Sequence, residues 1–134
     1  MIRGIVRRTD KLGRVVPPKE FRDALNIVED ALVDMYLDGK LIRLRLAQKP
    51  YKGIVRGMES LGRVDLPIEY RRALRLGQGD EVDIYLDGEE ICIRRATLQC
   101  VMCGSEDESS LMEVDEVLVC RKCAVKVIDK FAEE

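Results

Sequence analysis

Residues 12–25 read LGRVVPPKEFRDAL, and residues 61–74 read LGRVDLPIEYRRAL, a near-repetition at an offset of forty-nine residues. Working outward from these stretches, GIVR at 4–7 returns at 53–56, and YLDG at 36–39 returns at 85–88. From Gly4 to Arg45 the two copies align without a gap and are identical at about half of their positions, well above chance self-similarity. Two copies are too few for a solenoid, so each reads as half of a duplicated domain.

Each copy carries the same order of local signals. Residues 2–8 and 51–57 are β-branched runs that predict strands, and LGRVV and LGRVD predict second strands after a short turn. Pro18 and Pro67 then end strand pairing and suit the first helical position, where no N–H is needed. KEFRDAL and IEYRRAL supply about two helical turns, with Phe21 and Leu25, and Tyr70 and Leu74, four apart on one face. Gly77 and Gly79 are expected to stop the second helix, where the first copy has Val28 and Asp30. LVDMYL and EVDIYL alternate as strands, Asp38-Gly39 and Asp87-Gly88 predict type I′ hairpin turns, and LIRLRL and EICIRR complete the hairpins. The expected class is therefore mainly β (α+β), with two ββαββ halves. The boundaries are 1–47 and 51–96 for the repeats and 97–134 for a separate C-terminal module. About forty residues of this kind are at the limit of independent stability, so the halves are expected to pair.

Composition narrows the function. Hydrophobic residues make up 46% and charged residues 36% of 134, with no Trp, so Val, Ile and Leu must fill the core. There is no His, which removes the commonest general acid–base and every triad built on it; a non-enzymatic role is expected. Nothing resembles a membrane span or a signal peptide, so the expected location is cytoplasmic, with no membrane partner and no small-molecule substrate evident. Net charge is −2, but residues 1–25 carry net +4 and residues 51–75 net +3, whereas residues 96–134 carry −5. The two basic stretches are the same part of each repeat, and a local basic face attracts phosphates even on an acidic molecule.

With GIVR, LGRVV, the Pro-x-Glu-x-Arg helix and YLDG in place, the chain resembles the AbrB/SpoVT/MazE family of swapped-hairpin DNA-binding domains, over residues 2–46 and again over 51–95. The resemblance implies that the two halves interleave as a pseudo-dimeric barrel within one chain. It also implies that arginines of the first strand, the following loop and the short helix face DNA. By position these are Arg7, Arg8, Arg14 and Arg22 in the first copy, and Arg56, Arg63, Arg71 and Arg72 in the second. Gly57 stands opposite Arg8, Asp23 opposite Arg72, Pro17 opposite Leu66 and Asp65 opposite Val16. The halves are thus unequal, and the first is expected to grip phosphate less well. The implied partner is double-stranded DNA and the implied role is transcriptional regulation on the nucleoid. The same family contains MazE-like antitoxins, so binding a partner protein is the rival role.

The C-terminal module holds Cys100-x-x-Cys103 and Cys120-x-x-Cys123 with sixteen residues between. This is zinc-ribbon spacing, in which two knuckles and a hairpin bring four thiolates to one structural Zn²⁺ and leave no open coordination site. Gly104 suits the first knuckle, strands are expected around 111–114 and 117–119, and residues 121–132 read as a terminal helix. The acidic module should repel DNA, so protein contacts or homo-oligomerisation through its helix are expected instead.

Overall fold

The computed structural model describes residues 2–115 and 117–133. The chain forms two compact units, Met1–Ala96 and Thr97–Glu134.

In the first unit, repeat 1 contributes β1 (Ile5–Arg8), β2 (Arg14–Val15), α1 (Lys19–Ala24), β3 (Leu32–Asp38) and β4 (Leu41–Leu46). Repeat 2 contributes β5 (Ile54–Gly57), β6 (Val64–Asp65), α2 (Ile68–Leu74), β7 (Glu81–Asp87) and β8 (Glu90–Arg95). Strands of one repeat pair with strands of the other. The main antiparallel sheet runs β1-β7-β8-β4-β3-β5, so each repeat's first strand lies beside the other repeat's third strand. Ile5 pairs with Ile84, and Ile54 with Met35. The two hairpins meet at the centre, where Ile42 pairs with Ile93 and Leu44 with Ile91. Residues 42 and 91 are equivalent, as are 44 and 93, so a pseudo-twofold axis passes between Arg43 and Cys92. The short strands β2 and β6 form a second, two-stranded ribbon, again between repeats.

The alternation of LVDMYL and EVDIYL sends Val33, Met35, Val82 and Ile84 to one face of the sheet, where Ile42, Leu44, Ile91 and Ile93 join them. Val15 and Val64 of the ribbon, with Leu66, Leu74 and Leu76, close this core, and all are buried. Neither repeat could cover its own sheet face alone, which is why a body this small is built from two.

The close pairing of repeats has steric consequences. A Cβ on Gly4 would overlap the carbonyl of Ile84, and one on Gly53 the carbonyl of Met35. The segment leading into each first strand is held by a buried carboxylate of the other repeat or strand. Asp83 accepts from the backbone N–H groups of Arg3 (2.9 Å) and Gly4 (2.8 Å), and Asp34 from those of Lys52 (2.7 Å) and Gly53 (2.9 Å). Arg94 pairs with Asp83 at 3.1 Å and Arg45 with Asp34 at 3.2 Å.

Several local expectations change in detail. The second strands shrink to two residues, because the chain from 10 to 14 is closed by bonds from Asp10 N to Arg14 O and from Gly13 N to Asp10 O, mirrored from 59 to 63. Pro18 and Pro67 sit at the N-cap in extended geometry (ψ 140° and 139°), one residue before the helix. The helices are stopped by left-handed residues at equivalent positions, Asn26 (φ 59°) and Arg75 (φ 56°), rather than by Gly77 or Gly79. In the hairpins the central residues are Gly39-Lys40 and Gly88-Glu89, since Asp38 pairs with Leu41 and Asp87 with Glu90. Positive φ is taken by Gly39 (62°) and Gly88 (63°) alone, which is the type II′ pattern rather than type I′.

The second unit contains a hairpin of β9 (Leu111–Val114) and β10 (Val117–Cys120) followed by α3 (Arg121–Ala132). Cys120 is paired with Leu111 and caps the N-terminus of α3, so the hairpin delivers it directly beside Cys123. Among the described residues no helix is long and apolar enough to cross a membrane.

Candidate nucleic-acid interface and cysteine cluster

The β2–β6 ribbon organises four of the eight candidate arginines. Arg14 opens β2, and the equivalent Arg63 immediately precedes β6. Each helix arginine then crosses to the turn of the opposite repeat. The Arg71 guanidinium occupies the space where Gly13 would carry a Cβ, and the Arg22 guanidinium does the same at Gly62. Their Nε atoms donate to the carbonyls of Leu66 (3.0 Å) and Pro17 (3.1 Å), which fixes the side chains against their own helix entry. Gly13 and Gly62 both have φ of 78°, so the glycines serve the turn and the guanidinium together.

The other four are more exposed. Arg7 and Arg56 are on the edge strands β1 and β5, each donating from Nη1 to the preceding residue's carbonyl at 3.2 Å. Arg8 donates to the carbonyl of Gly79 at 3.1 Å. Arg72 is exposed on α2, whereas its repeat-1 counterpart Asp23 pairs with Lys19 at 3.2 Å.

The ribbon arginines differ in their electrostatic surroundings. Arg14 Nε donates to Asp10 at 2.7 Å and Arg14 Nη1 to Glu59 at 3.4 Å. The Asp10 bond raises the Arg14 pKa, while the backbone N–H and then the side chain of Arg14 lower that of Asp10. Among the described residues no carboxylate pairs with Arg63, and its Nε is buried without a hydrogen-bond partner. Beside Gly62 a cavity of about 250 Å³ is lined by Arg22, Val28, Glu29, Met58, Glu59 and Leu61, below the size usual for small-molecule sites.

Two features of the first unit escaped sequence reasoning. The buried pairs Asp34–Arg45 and Asp83–Arg94 lie on the polar side of strands that alternate cleanly. Their only signal was that all four positions are identical between repeats. At the pseudo-axis, Arg43 contacts Asp38 (2.8 Å), Asp87 (3.1 Å) and Glu90 (3.2 Å), all of which hold it protonated, Asp38 first. The Tyr36 hydroxyl also donates to Glu90, and burial followed by this contact pushes its pKa up to about 12.

In the C-terminal unit the sulfur atoms of Cys100, Cys103, Cys120 and Cys123 all lie within 4.8 Å of one another. The Cys103 and Cys120 sulfurs are 3.7 Å apart, close to the roughly 3.8 Å edge of a tetrahedron with metal–sulfur bonds of about 2.3 Å. None of the cysteines is joined in a disulfide. Gly104, with φ of 78°, turns the first knuckle, and its N–H donates to the Cys100 carbonyl at 2.9 Å. Backbone N–H groups of Cys103, Cys120 and Met102 draw the Cys100 thiol down to about 6, while the neighbouring thiols, Cys120 first, push Cys123 up to about 12. Four thiolates cannot share this volume without a cation, and a bound cation inverts that penalty. The cluster is thus placed to hold a metal ion through four sulfur ligands. In α3, Ile128 and Phe131 are 65% and 70% exposed, leaving an apolar strip on the helix.

Against this geometry, part of the repeated region is similar to proteins of the AbrB and MazE type. Residues 59–97 match the family described as "Antidote-toxin recognition MazE, bacterial antitoxin", and the match ends before the four cysteines. A stretch of 42 residues is 48% identical to "Transition state regulatory protein AbrB" of Bacillus subtilis (strain 168), covering 31% of this chain and 44% of that protein. "Putative transition state regulator Abh" of the same organism is 43% identical over 42 residues, covering 31% of this chain and 46% of that protein. The chain thus spans less than half the length of these curated relatives. No solved structure gives a significant match.

Proposed function

We propose that the chain is a DNA-binding transcriptional regulator of the AbrB type, whose two repeats act as one body on duplex DNA in the cytoplasm. The observation that carries this reading is the β2–β6 ribbon, which gathers Arg14, Arg22, Arg63 and Arg71 from both repeats about one pseudo-twofold axis. Guanidinium groups bind phosphate bidentately and also read base edges. Arg7, Arg8, Arg56 and Arg72, exposed around this centre, extend the positive surface for phosphate contacts that position the body on DNA. Strand exchange makes the arrangement rigid, and a rigid frame is what a fixed spacing of arginines requires. The C-terminal unit, in this reading, is a structural zinc ribbon on Cys100, Cys103, Cys120 and Cys123. Its acidic surface turns away DNA, and the apolar strip of α3 serves contacts with another protein chain.

Mobility shifts on A/T-rich duplex test the reading. The Arg56→Ala/Arg72→Ala variant, which removes exposed side chains only, should weaken binding about fivefold or more at fixed salt, by about 1–3 kcal/mol in total. Unchanged affinity would overturn the assignment. The match of residues 59–97 to an antitoxin family favours a second reading, in which repeat 2 binds a partner protein. A chain that fails to bind any duplex yet co-purifies in a stoichiometric complex with a toxin would establish that reading instead.

A further inference from the structure

Arg14 and Arg63 are the same residue in the two repeats, yet the acids around them are distributed one-sidedly. Asp10 is short enough to close its own turn: Oδ1 accepts from the N–H groups of Leu12 and Arg14, both at 2.9 Å, which leaves Oδ2 for the Arg14 guanidinium. The equivalent Glu59 is one methylene longer and does not close this loop. Its turn keeps the same two backbone bonds, with Leu61 in left-handed geometry at φ 65°, and takes no bond from the Glu59 side chain. The Glu59 carboxylate is thereby released and reaches across the ribbon to Arg14 at 3.4 Å. Both acids of the equivalent pair therefore serve one arginine. Asp65, the register partner of Arg14, adds a third carboxylate on that side, whereas its repeat-1 counterpart is Val16.

We infer that the two ribbon arginines have separated in function: Arg63 contacts the DNA, and Arg14 is a pin that holds the ribbon together. The inference rests on the DNA-binding reading above and specifies how that site is used. Arg14 with Asp10 and Glu59 carries net negative charge, so a phosphate approaching it meets repulsion and must break two ion pairs. Arg63 meets no such competition. Among the described residues no carboxylate pairs with its guanidinium, which leaves that charge uncompensated for a phosphate, whereas the charge of Arg14 is already met twice. Repeat 1 has compensating charge elsewhere, since Arg8 and Lys11 stand where repeat 2 has Gly57 and Ser60. The body therefore presents positive charge from different elements on its two sides. It sits on duplex DNA in one preferred orientation and selects an asymmetric site.

The test is a set of salt titrations of the full chain on an A/T-rich duplex about three helical turns long. Arg63→Ala should lose about tenfold or more in affinity and about one unit of salt slope, and Arg14→Ala should lose clearly less slope than Arg63→Ala. The Asp10→Asn/Glu59→Gln variant, in which Asn still accepts from the turn, should free Arg14, tighten binding and steepen the slope by about one unit. This variant carries the test if Arg14→Ala does not fold. Equal slope losses for Arg14→Ala and Arg63→Ala, or no gain in the double variant, would overturn the inference and leave the DNA-binding reading intact. Failure of the wild-type chain to bind at low salt would overturn both.

Discussion

Arg43 faces Cys92 across the centre of the sheet, with its guanidinium 3.4 Å from the sulfur. The two positions are equivalent in the repeats and straddle the pseudo-axis. In a true homodimer of repeat 1, Arg43 would face its own copy, and two guanidiniums would meet. In a homodimer of repeat 2, paired Asp87 and Glu90 carboxylates would gather with no cation between them. Only a mixed pair supplies one Arg to Asp38, Asp87 and Glu90. The charge pattern therefore favours pairing of unlike repeats and disfavours the alternatives.

Cys92→Arg should recreate the disfavoured arrangement. We expect a loss of about 2 kcal/mol, read as a shift in the urea midpoint. Arg43→Ala should cost about 1–2 kcal/mol, because Asp38 and Asp87 are more than half exposed and water screens them. A Cys92→Arg variant as stable as the wild type would contradict the account of the axis.

Asp83→Ala should be more damaging than any surface change. It leaves the N–H groups of Arg3 and Gly4 without their acceptor and removes the ion pair to Arg94, at an expected cost of about 3 kcal/mol or more. Asp34→Ala should behave alike by pseudo-symmetry. Denaturant unfolding checks both, and a loss below about 1 kcal/mol would be inconsistent with a buried clamp.

The repeat made much of this legible in advance. Element order, the pairing of halves and the position of α3 followed from self-similarity and local signals. The hairpin turns were mistaken because Asp-Gly marks both the end of a strand and a turn, and only the register of Asp38 with Leu41 separates the two. The helix stops were missed because the glycines are the stronger signal, although Asn26 is itself a residue that takes left-handed geometry readily; Arg75, exposed like Asn26, carries no such signal. Asp34 and Asp83 were hidden by strand alternation, which assigns polar positions to solvent; a segment of the chain distant in sequence covers them. The inequality of Arg14 and Arg63 was equally invisible, since it depends on where a carboxylate one methylene longer comes to rest.

Removing metal should act on one unit only. Elemental analysis is expected to give one zinc per chain, and a strong chelator should unfold Thr97–Glu134, whose few buried residues are cysteines, while the six-stranded sheet persists. Zinc well below one per chain in freshly purified protein would contradict the assignment of the cluster.

Gly62→Ala should dislodge Arg22 from its seat and strain a backbone at φ 78°, at about 1 kcal/mol or more in stability. Gly13→Ala should displace Arg71 in the same way. Both variants should also weaken DNA binding, measured at a temperature where circular dichroism finds them folded. Unaltered affinity in both would detach the helix arginines from the interface.

The central claim, that the paired repeats bind duplex DNA through their arginines, is tested most directly by the salt dependence of wild-type binding to an A/T-rich duplex. Five or six phosphate contacts predict a log–log slope of about −5, with affinity falling steeply as salt rises. A slope near zero, or no binding at low salt, would contradict it.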